Sequence, residues 1–364
     1  MDYIIFILIL FVVSVIIFLT IQYNGEKSKK RRGLIDSFVT LDKHHKNPLL
    51  SPKPYLDWQA GGTFNPAVFT DESGRVHVIY RAVGGDGVSR LGYASSMDQL
   101  HFDDHENYPV FSITYGQNTN IPRRYDRMLY PSGGSYGGCE DPRMVAIDEK
   151  MYVTFSAFDN WGSIRIGLIS INKNDFLNKR WNWSEPLLIS PKNAVHKNWV
   201  IFPEKINGKF ALLHSISPEI QVDYIERFED LAYGIRVIES KFSQSKKKKP
   251  GEWEDFIRGA GPPPIKTEKG WLLLYHAMQK GEHHKYKLGA MLLDLNNPTK
   301  VIARSKTPIL EPDMWYEDDW KPGVVYACGA TVKEDTLYVY YGGGDKHICV
   351  AQTSLSGLLS SMLS

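Results

Sequence analysis

Hydrophobic and polar residues are distributed in two different ways along the chain. Residues 3–21 form an apolar run without a single charge, about the ~20 residues that a helix needs to cross a bilayer. From Leu34 onward no helical pattern lasts for three turns, and short aromatic and β-branched runs alternate with Gly, Pro, Asp and Asn. This second pattern is typical of many short antiparallel strands. The sequence therefore predicts one N-terminal helix followed by an all-β domain.

The strand-like runs recur as five units, most of them a pair of runs and the third only in part. They are 74–82 with 89–95, 149–157 with 164–170, 207–214, 270–277 with 286–293, and 335–342 with 347–351. Their period is roughly 60 to 70 residues, longer than the about 40 to 50 of typical propeller repeats. We predict a five-bladed β-propeller over residues 45–360, in which loops from different blades meet at a central channel. A sandwich or two stacked barrels is the alternative.

The flanks of the apolar run indicate a membrane anchor. Only Asp2 precedes the run, whereas five cations between Lys27 and Arg32 follow it. A cleaved signal peptide would have its cations before the run and small residues after it. By the positive-inside bias, cations after the span keep the following chain in the cytoplasm. We therefore predict a transmembrane anchor over residues 1–23, a basic juxtamembrane linker over 24–44, and a single-pass membrane protein whose catalytic domain is cytoplasmic.

Composition excludes several classes of function. The formal net charge of the 364 residues is +2, and no basic helix or finger motif occurs, so we expect no nucleic-acid partner. Three cysteines are too few for a disulfide framework. The sequence has no cluster of His, Cys and carboxylate residues with the spacing of zinc ligands, no Walker motif and no dinucleotide-binding motif. We therefore predict no metal and no organic cofactor. The 9 Trp and 20 Tyr include candidate platforms for stacking on sugars, namely Tyr136, Trp161 and Trp199.

The loop Ser135–Arg143 is the first candidate for chemistry. It reads SYGGCEDPR, with two adjacent carboxylates and a cation behind two glycines. Glycines allow close backbone approach to a ligand, and Pro142 fixes one dihedral angle. A carboxylate between Glu140 and Arg143 can have its proton affinity shifted in either direction, as acid–base chemistry requires. The alternative is that Glu140 and Arg143 pair and only hold a turn.

Several longer sequence motifs accompany this loop along the chain. They are GGCEDPR, FPEKINGKFALLH, GAGPPPIKTEKGWLLLYHA, LGAMLLDL, the phrase from Arg304 to Pro312, and LYVYYGGGD. In this order, the chain from about residue 45 to 360 resembles glycoside hydrolase family 130, the mannoside phosphorylases and related mannosidases built as five-bladed β-propellers. The resemblance implies an inverting enzyme that cleaves or forms β-mannosidic bonds. Its implied partners are a β-mannoside oligosaccharide or glycan and, as co-substrate, inorganic phosphate.

The resemblance assigns the proton donor to Asp141, whose proton passes in several phosphorylases through a hydroxyl of the mannosyl ring. A poor alkoxide leaving group needs such an acid as an oxocarbenium-like centre develops. Phosphate then attacks from the opposite face and yields mannose 1-phosphate. The predicted phosphate ligands are Lys192, His276 and Tyr286. The predicted substrate contacts are Arg81, Arg90, Glu140, Arg143, Asn193, Lys205 and Asp345.

The chain departs from the family pattern at four points. Lys192 and Ser215 each stand where an Arg is common, the segment 195–199 is a few residues longer, and Gly323 replaces a frequent Asn. His196 and Lys197 are the candidates to supply the lost charge, and the alternative is that this loop reshapes the sugar pocket. If phosphate is not bound, water must attack, and a hydrolase needs a base carboxylate about 6.5 to 9.5 Å from the acid.

The candidate bases for that alternative are Glu204, Glu219 and Asp223. A third alternative is a glycan-binding propeller without catalysis, and the intact acidic phrase argues against it. Phosphorolysis is favoured, because the retained Lys192, His276 and Tyr286 suit an anion.

Overall fold

The described part of the protein comprises residues 39–113, 125–130, 132–159, 164–239 and 253–364 of a computed structural model. Within it, residues 40–364 form one compact unit that consists mainly of β-strands. The all-β part of the prediction is thus confirmed. The short runs of aromatic and β-branched residues identified in the sequence become its strands, because such residues fit a pleated surface that is packed on at least one face.

The strands of the described chain fall into a short first strand and five antiparallel groups. The first strand is β1 (Asp42–Lys43). The first group contains β2 (Gly62–Thr70), β3 (Val76–Val83), β4 (Val88–Ser96) and β5 (Asp104–His105). The second contains β6 (Gly137–Ile147), β7 (Lys150–Asp159), β8 (Ile164–Asn172) and β9 (Leu187–Leu188). The third contains β10 (Val200–Ile201), β11 (Phe210–Ser215) and β12 (Gln221–Ile225).

The remaining two groups and the helices complete the described chain. The fourth group contains β13 (Phe256–Ala260), β14 (Ile265–Thr267), β15 (Gly270–Met278), β16 (Lys287–Leu293) and β17 (Val301–Arg304). The fifth contains β18 (Val325–Lys333), β19 (Thr336–Gly343) and β20 (His347–Ser354). The α-helices are α1 (Lys173–Leu177), α2 (Phe228–Ala232) and α3 (Leu355–Leu363), and 3-10 turns occur at Asp57–Gln59, Arg127–Leu129 and Trp315–Glu317.

The five groups follow one another around a ring. The first, or leading, strands of four groups contact one another, β18 with β2, β2 with β6 and β6 with β10, and β16 of the fourth group contacts β18. A short parallel pairing of β4 with β6 joins the first two groups into one sheet. The N-terminal strand β1 pairs with β20 and so completes the last group from the other end of the chain. These contacts give the arrangement of blades in a five-bladed propeller.

The hydrophobic core lies between neighbouring blades. Phe202 of the third group packs edge-on against Trp271 of the fourth, with ring centroids 5.0 Å apart. Phe102 and Tyr340 make the corresponding contact, at 6.1 Å, between the first group and the fifth. Strand β3 is buried at every position, because a strand inside a blade is covered on both faces. Polar side chains lie on the leading strands where these strands border the central cavity.

The predicted transmembrane helix is wrong. Among the residues that the structure describes, no helix is long and apolar enough to cross a membrane, and the longest, α3, has nine residues. The predicted anchor, residues 1–23, and most of the linker, up to residue 38, lie outside the described residues. Three further predictions depended on this helix and have no support without it: the membrane contact, the single-pass topology and the cytoplasmic placement of the catalytic domain.

Candidate active site

A β-bulge aims Asp141 into the centre of the ring. Pairing of β6 with β7 jumps from Glu140, opposite Ser156, to Arg143, opposite Thr154, so that two residues face one on the partner strand. Asp141 has a left-handed φ of 49°, and Pro142 has no N–H to lose from the ladder. Bulges redirect side chains in this way and are common beside active sites. Glu140 and Asp141 consequently make different contacts although they are adjacent.

The same device recurs on three other leading strands. Register shifts occur in β2 between Phe64 and Ala67, in β13 between Ile257 and Gly259, and in β18 between Ala327 and Gly329. The first contains Asn65, with φ 51°, and the second contains Arg258. The bulges therefore bring an amide, a carboxylate and a guanidinium from three blades to one cavity.

Two strands of the first blade contribute hydrogen bonds to the carboxylate of Asp141. Asn65 Nδ2 donates to Oδ1 at 2.6 Å, and an Arg81 guanidinium nitrogen donates to the same oxygen at 3.1 Å. Burial raises the pKa of Asp141, but the cations Arg81 and Lys197, together with the other neighbours, outweigh it and hold the pKa below its ordinary value. Asp141 is therefore ionised in the empty cavity at neutral pH.

Glu140 is the buried anchor of this network. Its side chain is fully buried, and its two oxygens accept hydrogen bonds from Arg81 at 2.9 Å and from Lys197 at 3.0 Å. The hydroxyls of Ser135 and Ser132 complete the set at 2.9 and 2.7 Å. Glu140 does not line the cavity, so its predicted substrate contact becomes a positioning role for Arg81 and Lys197.

Arg81 and Arg143 are held by the protein on either side of Asp141. Besides Asp141 and Glu140, Arg81 donates to Ser89 Oγ at 2.9 Å and to Ser132 O at 2.6 Å. Arg143 donates to the backbone oxygen of Asp141 at 2.6 Å and to Asn198 Oδ1 at 2.8 Å. Arg81 lines the cavity and Arg143 does not. Both orient the acid loop, and of the two only Arg81 has access to a ligand.

The cavity beside Asp141 measures about 480 Å³, within the range of small-molecule sites. Four cations and two carboxylates line it in the described chain: Arg81, Lys197, Arg258 and Lys321, with Asp141 and Asp345. Lys321 Nζ lies 3.1 Å from Asp345 Oδ2, and this carboxylate raises the pKa of Lys321. The remaining lining includes Asn65, Tyr286, Tyr326, His196 and His214.

The predicted phosphate ligands separate in the structure. Tyr286 lines the cavity, and the Arg258 guanidinium lies 5.4 Å from its ring centroid. His276 is fully buried behind Tyr326, with ring centroids 4.0 Å apart, and its Nε2 accepts from Ala327 N at 2.9 Å. Burial lowers the pKa of His276 to about 3, assisted by Arg143. His276 is therefore neutral and does not line the cavity. Lys192 is exposed and also lies outside the lining.

Three predicted substrate contacts likewise do not reach the cavity lining. Arg90 is opposite Ala82 and not Arg81 in the β3–β4 ladder, so it faces the other side of the sheet, where Asp86 pairs with it at 2.5 Å. Lys205 pairs with Asp148 at 2.8 Å on the surface. Asn193 is exposed in a left-handed turn, with φ 63°.

The predicted hydrolytic bases are engaged elsewhere. Glu204 pairs with Lys266 at 2.6 Å, and Glu219 accepts from Gln221 at 3.3 Å. Asp223 lies 2.9 Å from His214 Nε2. None of the three lines the cavity.

The aromatic candidates also differ in position. Trp199 lines the cavity and Tyr136 does not, whereas Trp161 lies outside the described residues. In the described part of the chain, no three His, Cys, Asp or Glu residues are grouped to hold a metal ion.

Sequence reasoning missed Arg258, Lys321 and Asn65 as cavity residues. One signal was available, because Asn65–Pro66 repeats the Asp141–Pro142 pair at the start of the preceding unit. Arg258 precedes the quoted phrase that begins at Gly259 and has no such neighbour. Finding it requires knowledge of the bulge in β13, which only the pairing with β15 reveals.

Known proteins resemble this chain over nearly all of its described length. A family model described as beta-1,4-mannooligosaccharide phosphorylase matches residues 40–363. A 1,2-beta-oligomannan phosphorylase of Thermoanaerobacter sp. (strain X514) is 36% identical, over 86% of this chain and 97% of that protein. A beta-1,2-mannobiose phosphorylase of the same organism is 34% identical, over 85% and 96%. The Listeria innocua beta-1,2-mannobiose phosphorylase, solved with beta-1,2-mannobiose, superposes with a TM-score of 0.64 at 26% identity, over 88% and 99%.

Proposed function

Because the chain belongs to glycoside hydrolase family 130, we propose that its substrate is a β-1,2-linked mannoside. It is an inverting enzyme that cleaves β-mannosidic bonds by phosphorolysis, with inorganic phosphate as co-substrate and mannose 1-phosphate as product. The β-1,2 linkage is that of the substrates named for both Thermoanaerobacter relatives and of the sugar in the Listeria innocua structure. A cavity of about 480 Å³ suits a short mannoside together with phosphate.

The charge of the cavity lining carries the proposal. Among the described residues, the four lining cations outnumber the two lining carboxylates by two. Behind the lining, buried Glu140 and Arg143 add one charge of each sign. Lys197, Arg258 and Lys321 are half-buried, so a ligand in the cavity can approach their charges, and an inorganic phosphate near neutral pH brings close to two negative charges. Phosphate therefore matches the surplus, and a water nucleophile does not.

The same charges explain how Asp141 acts as an acid. In the empty cavity the neighbouring cations keep its pKa low, so that it carries no proton to donate. A phosphate dianion near Arg81, Lys197, Arg258 and Lys321 offsets those cations and thereby raises the pKa of Asp141. Phosphate binding and protonation of the acid are then mutually favourable. The protonated acid serves the leaving alkoxide while phosphate attacks the other face of the sugar.

The direct test supplies β-1,2-, β-1,3- and β-1,4-mannobiose, each with and without inorganic phosphate, and measures mannose 1-phosphate and free mannose separately. We expect mannose 1-phosphate from the β-1,2-linked sugar only when phosphate is present. Release of two free mannose molecules per bond regardless of phosphate would instead establish hydrolysis. Preference for another linkage would overturn the proposed substrate and leave the reaction type standing.

Replacing Arg258 with Gln is expected to raise KM for phosphate by about 10- to 100-fold. A hydrogen bond to a charged group is worth about 1.5 to 3 kcal/mol, and each 1.4 kcal/mol is about tenfold in affinity. Initial rates at saturating mannobiose and varied phosphate give this constant. The matched control is Arg90→Gln, because Arg90 lies outside the cavity and pairs with Asp86. A phosphate KM that stays unchanged in Arg258→Gln would remove Arg258 from the phosphate site.

A further inference from the structure

Among the described residues, one wall of the cavity carries a single cation, Lys197, beside apolar and uncharged polar side chains. It consists of residues 194–199 and the end of β11, with Ile164 and Ile216. The charge of Lys197 on this wall is directed to Glu140 and to Ser132 Oγ, at 3.0 and 2.7 Å. The wall also carries two imidazole rings, those of His196 and His214. The wall thus combines apolar surface with imidazoles, the combination that suits the C–H faces and hydroxyls of a neutral sugar.

His196 is held firmly in this wall. Its backbone N–H donates to Ile164 O at 2.9 Å, and the preceding Val195 forms a parallel bridge with Ile164. Its ring packs edge-on against Trp199, with centroids 5.3 Å apart. Only 9% of its surface is exposed. The backbone contacts and the ring packing together fix the position of the imidazole.

That atom, Nε2 of His196, is buried and has no hydrogen-bond partner among the described residues. A buried polar atom left without a partner costs about 1 to 3 kcal/mol, and such atoms are rare in folded proteins. Because His196 lines the cavity, a ligand can supply the missing partner. The orphaned nitrogen therefore indicates a polar contact that is made only in the loaded enzyme.

A hydroxyl is the ligand group that we expect at this nitrogen. Burial lowers the pKa of His196, and Arg165 and His214 lower it further, so the ring carries no charge near neutral pH. A neutral imidazole donates to or accepts from a hydroxyl, whereas phosphate is matched by the cations of the charged side. Val195, beside it, is 69% exposed and places this wall at the cavity mouth. Asp141 is only 6% exposed, so we expect the leaving sugar to lie between Asp141 and the mouth of the cavity, against this wall.

We propose that His196 Nε2 hydrogen-bonds a hydroxyl of the leaving sugar, and of the acceptor sugar in the reverse direction, and so determines specificity at that position. This inference rests on the proposed function of the same cavity. It assigns His196 to sugar recognition and not to the replacement of a phosphate-binding cation.

The test compares His196→Leu with His196→Gln, whose side-chain amide reaches the place of the imidazole Nε2. In synthesis from mannose 1-phosphate and mannose, His196→Leu should raise KM for mannose about tenfold, with KM for mannose 1-phosphate within about twofold. His196→Gln should recover most of the loss. His283→Leu, changed on an exposed loop outside the cavity lining, is the control. A selective rise in KM for inorganic phosphate, or no change in either variant, would overturn the inference.

Calorimetric titration with mannose and, separately, with inorganic phosphate measures the same contact without turnover. His196→Leu should weaken mannose binding about tenfold and leave phosphate binding unchanged, and Gln should restore it. A wild-type enzyme that forms no mannose 1-phosphate contradicts the proposed function. Equal mannose affinity in wild type and His196→Leu contradicts only the role of His196.

Discussion

Replacement of Asp141 by Asn is expected to lower kcat/KM for phosphorolysis of β-1,2-mannobiose by about 10²- to 10⁴-fold, the usual contribution of a general acid. The amide has nearly the shape of the carboxylate, and its oxygen can still accept from Asn65 and Arg81. It has no proton to give to the glycosidic oxygen. Circular dichroism and the melting temperature would establish that the variant is folded before its kinetics are compared.

An activated substrate separates the loss of the acid from a general loss of activity. The leaving group of a 4-nitrophenyl β-mannoside is 4-nitrophenolate, a weak base. Cleavage of this substrate therefore depends far less on proton donation. The Asp141→Asn variant should recover most of its rate on this substrate while phosphate dependence persists. An equal loss on both substrates would mean that Asp141 binds or orients and does not donate a proton.

The pH dependence of phosphate binding follows from the low pKa of Asp141 in the empty cavity. Above that pKa the carboxylate is ionised, and phosphate binding raises its pKa, so binding must draw a proton from solution wherever the pH lies between the two values. Calorimetry in buffers of different ionisation enthalpy counts this proton. Wild type should take up more than Asp141→Asn, and equal uptake in both would sever the link between phosphate and the acid.

The acid loop and the strands could be predicted from the sequence, because each depends on the conformational preferences of a few consecutive residues. The acid loop was recognisable from two glycines followed by Glu–Asp–Pro–Arg. In the structure Gly138 lies against Ser89 and not in the cavity lining, so closely that a Cβ would lie 2.0 Å from Ser89 O, and Pro142 lies in a bulge. The strands were recognisable from their aromatic and β-branched runs. Both signals lie within a few consecutive residues.

The charged side of the cavity could not be read in the same way. Arg81 and Arg90 look alike in sequence, yet Arg90 is opposite Ala82 in the ladder, and one step of register places the two cations on different faces. Arg258 reaches the cavity through a bulge in β13 that is defined only against β15. These assignments depend on pairing between strands, which no short phrase encodes.

Replacing Glu140 with Gln is expected to lower the free energy of unfolding by about 3 to 5 kcal/mol, the range for breaking a buried ion pair from one side. Glu140 is fully buried and compensates both Arg81 and Lys197. The amide removes that charge. Its NH₂ group must also face groups that donate hydrogen bonds to the carboxylate in the wild type, among them Ser132 Oγ. Urea unfolding followed by tryptophan fluorescence gives the free energy.

The matched control is Asp86→Asn, which breaks the partly exposed Asp86–Arg90 pair of the first blade. Partly exposed pairs contribute about 0 to 1 kcal/mol, so this variant should unfold close to wild type. A second effect separates Glu140 from a purely structural residue. Without the ion pair to Glu140, the Arg81 guanidinium is held less firmly in the orientation from which it donates to Asp141, so activity should fall in molecules that remain folded. If Glu140→Gln were as stable and as active as Asp86→Asn, the buried network would orient nothing, and the position of Asp141 would depend on the backbone bulge alone.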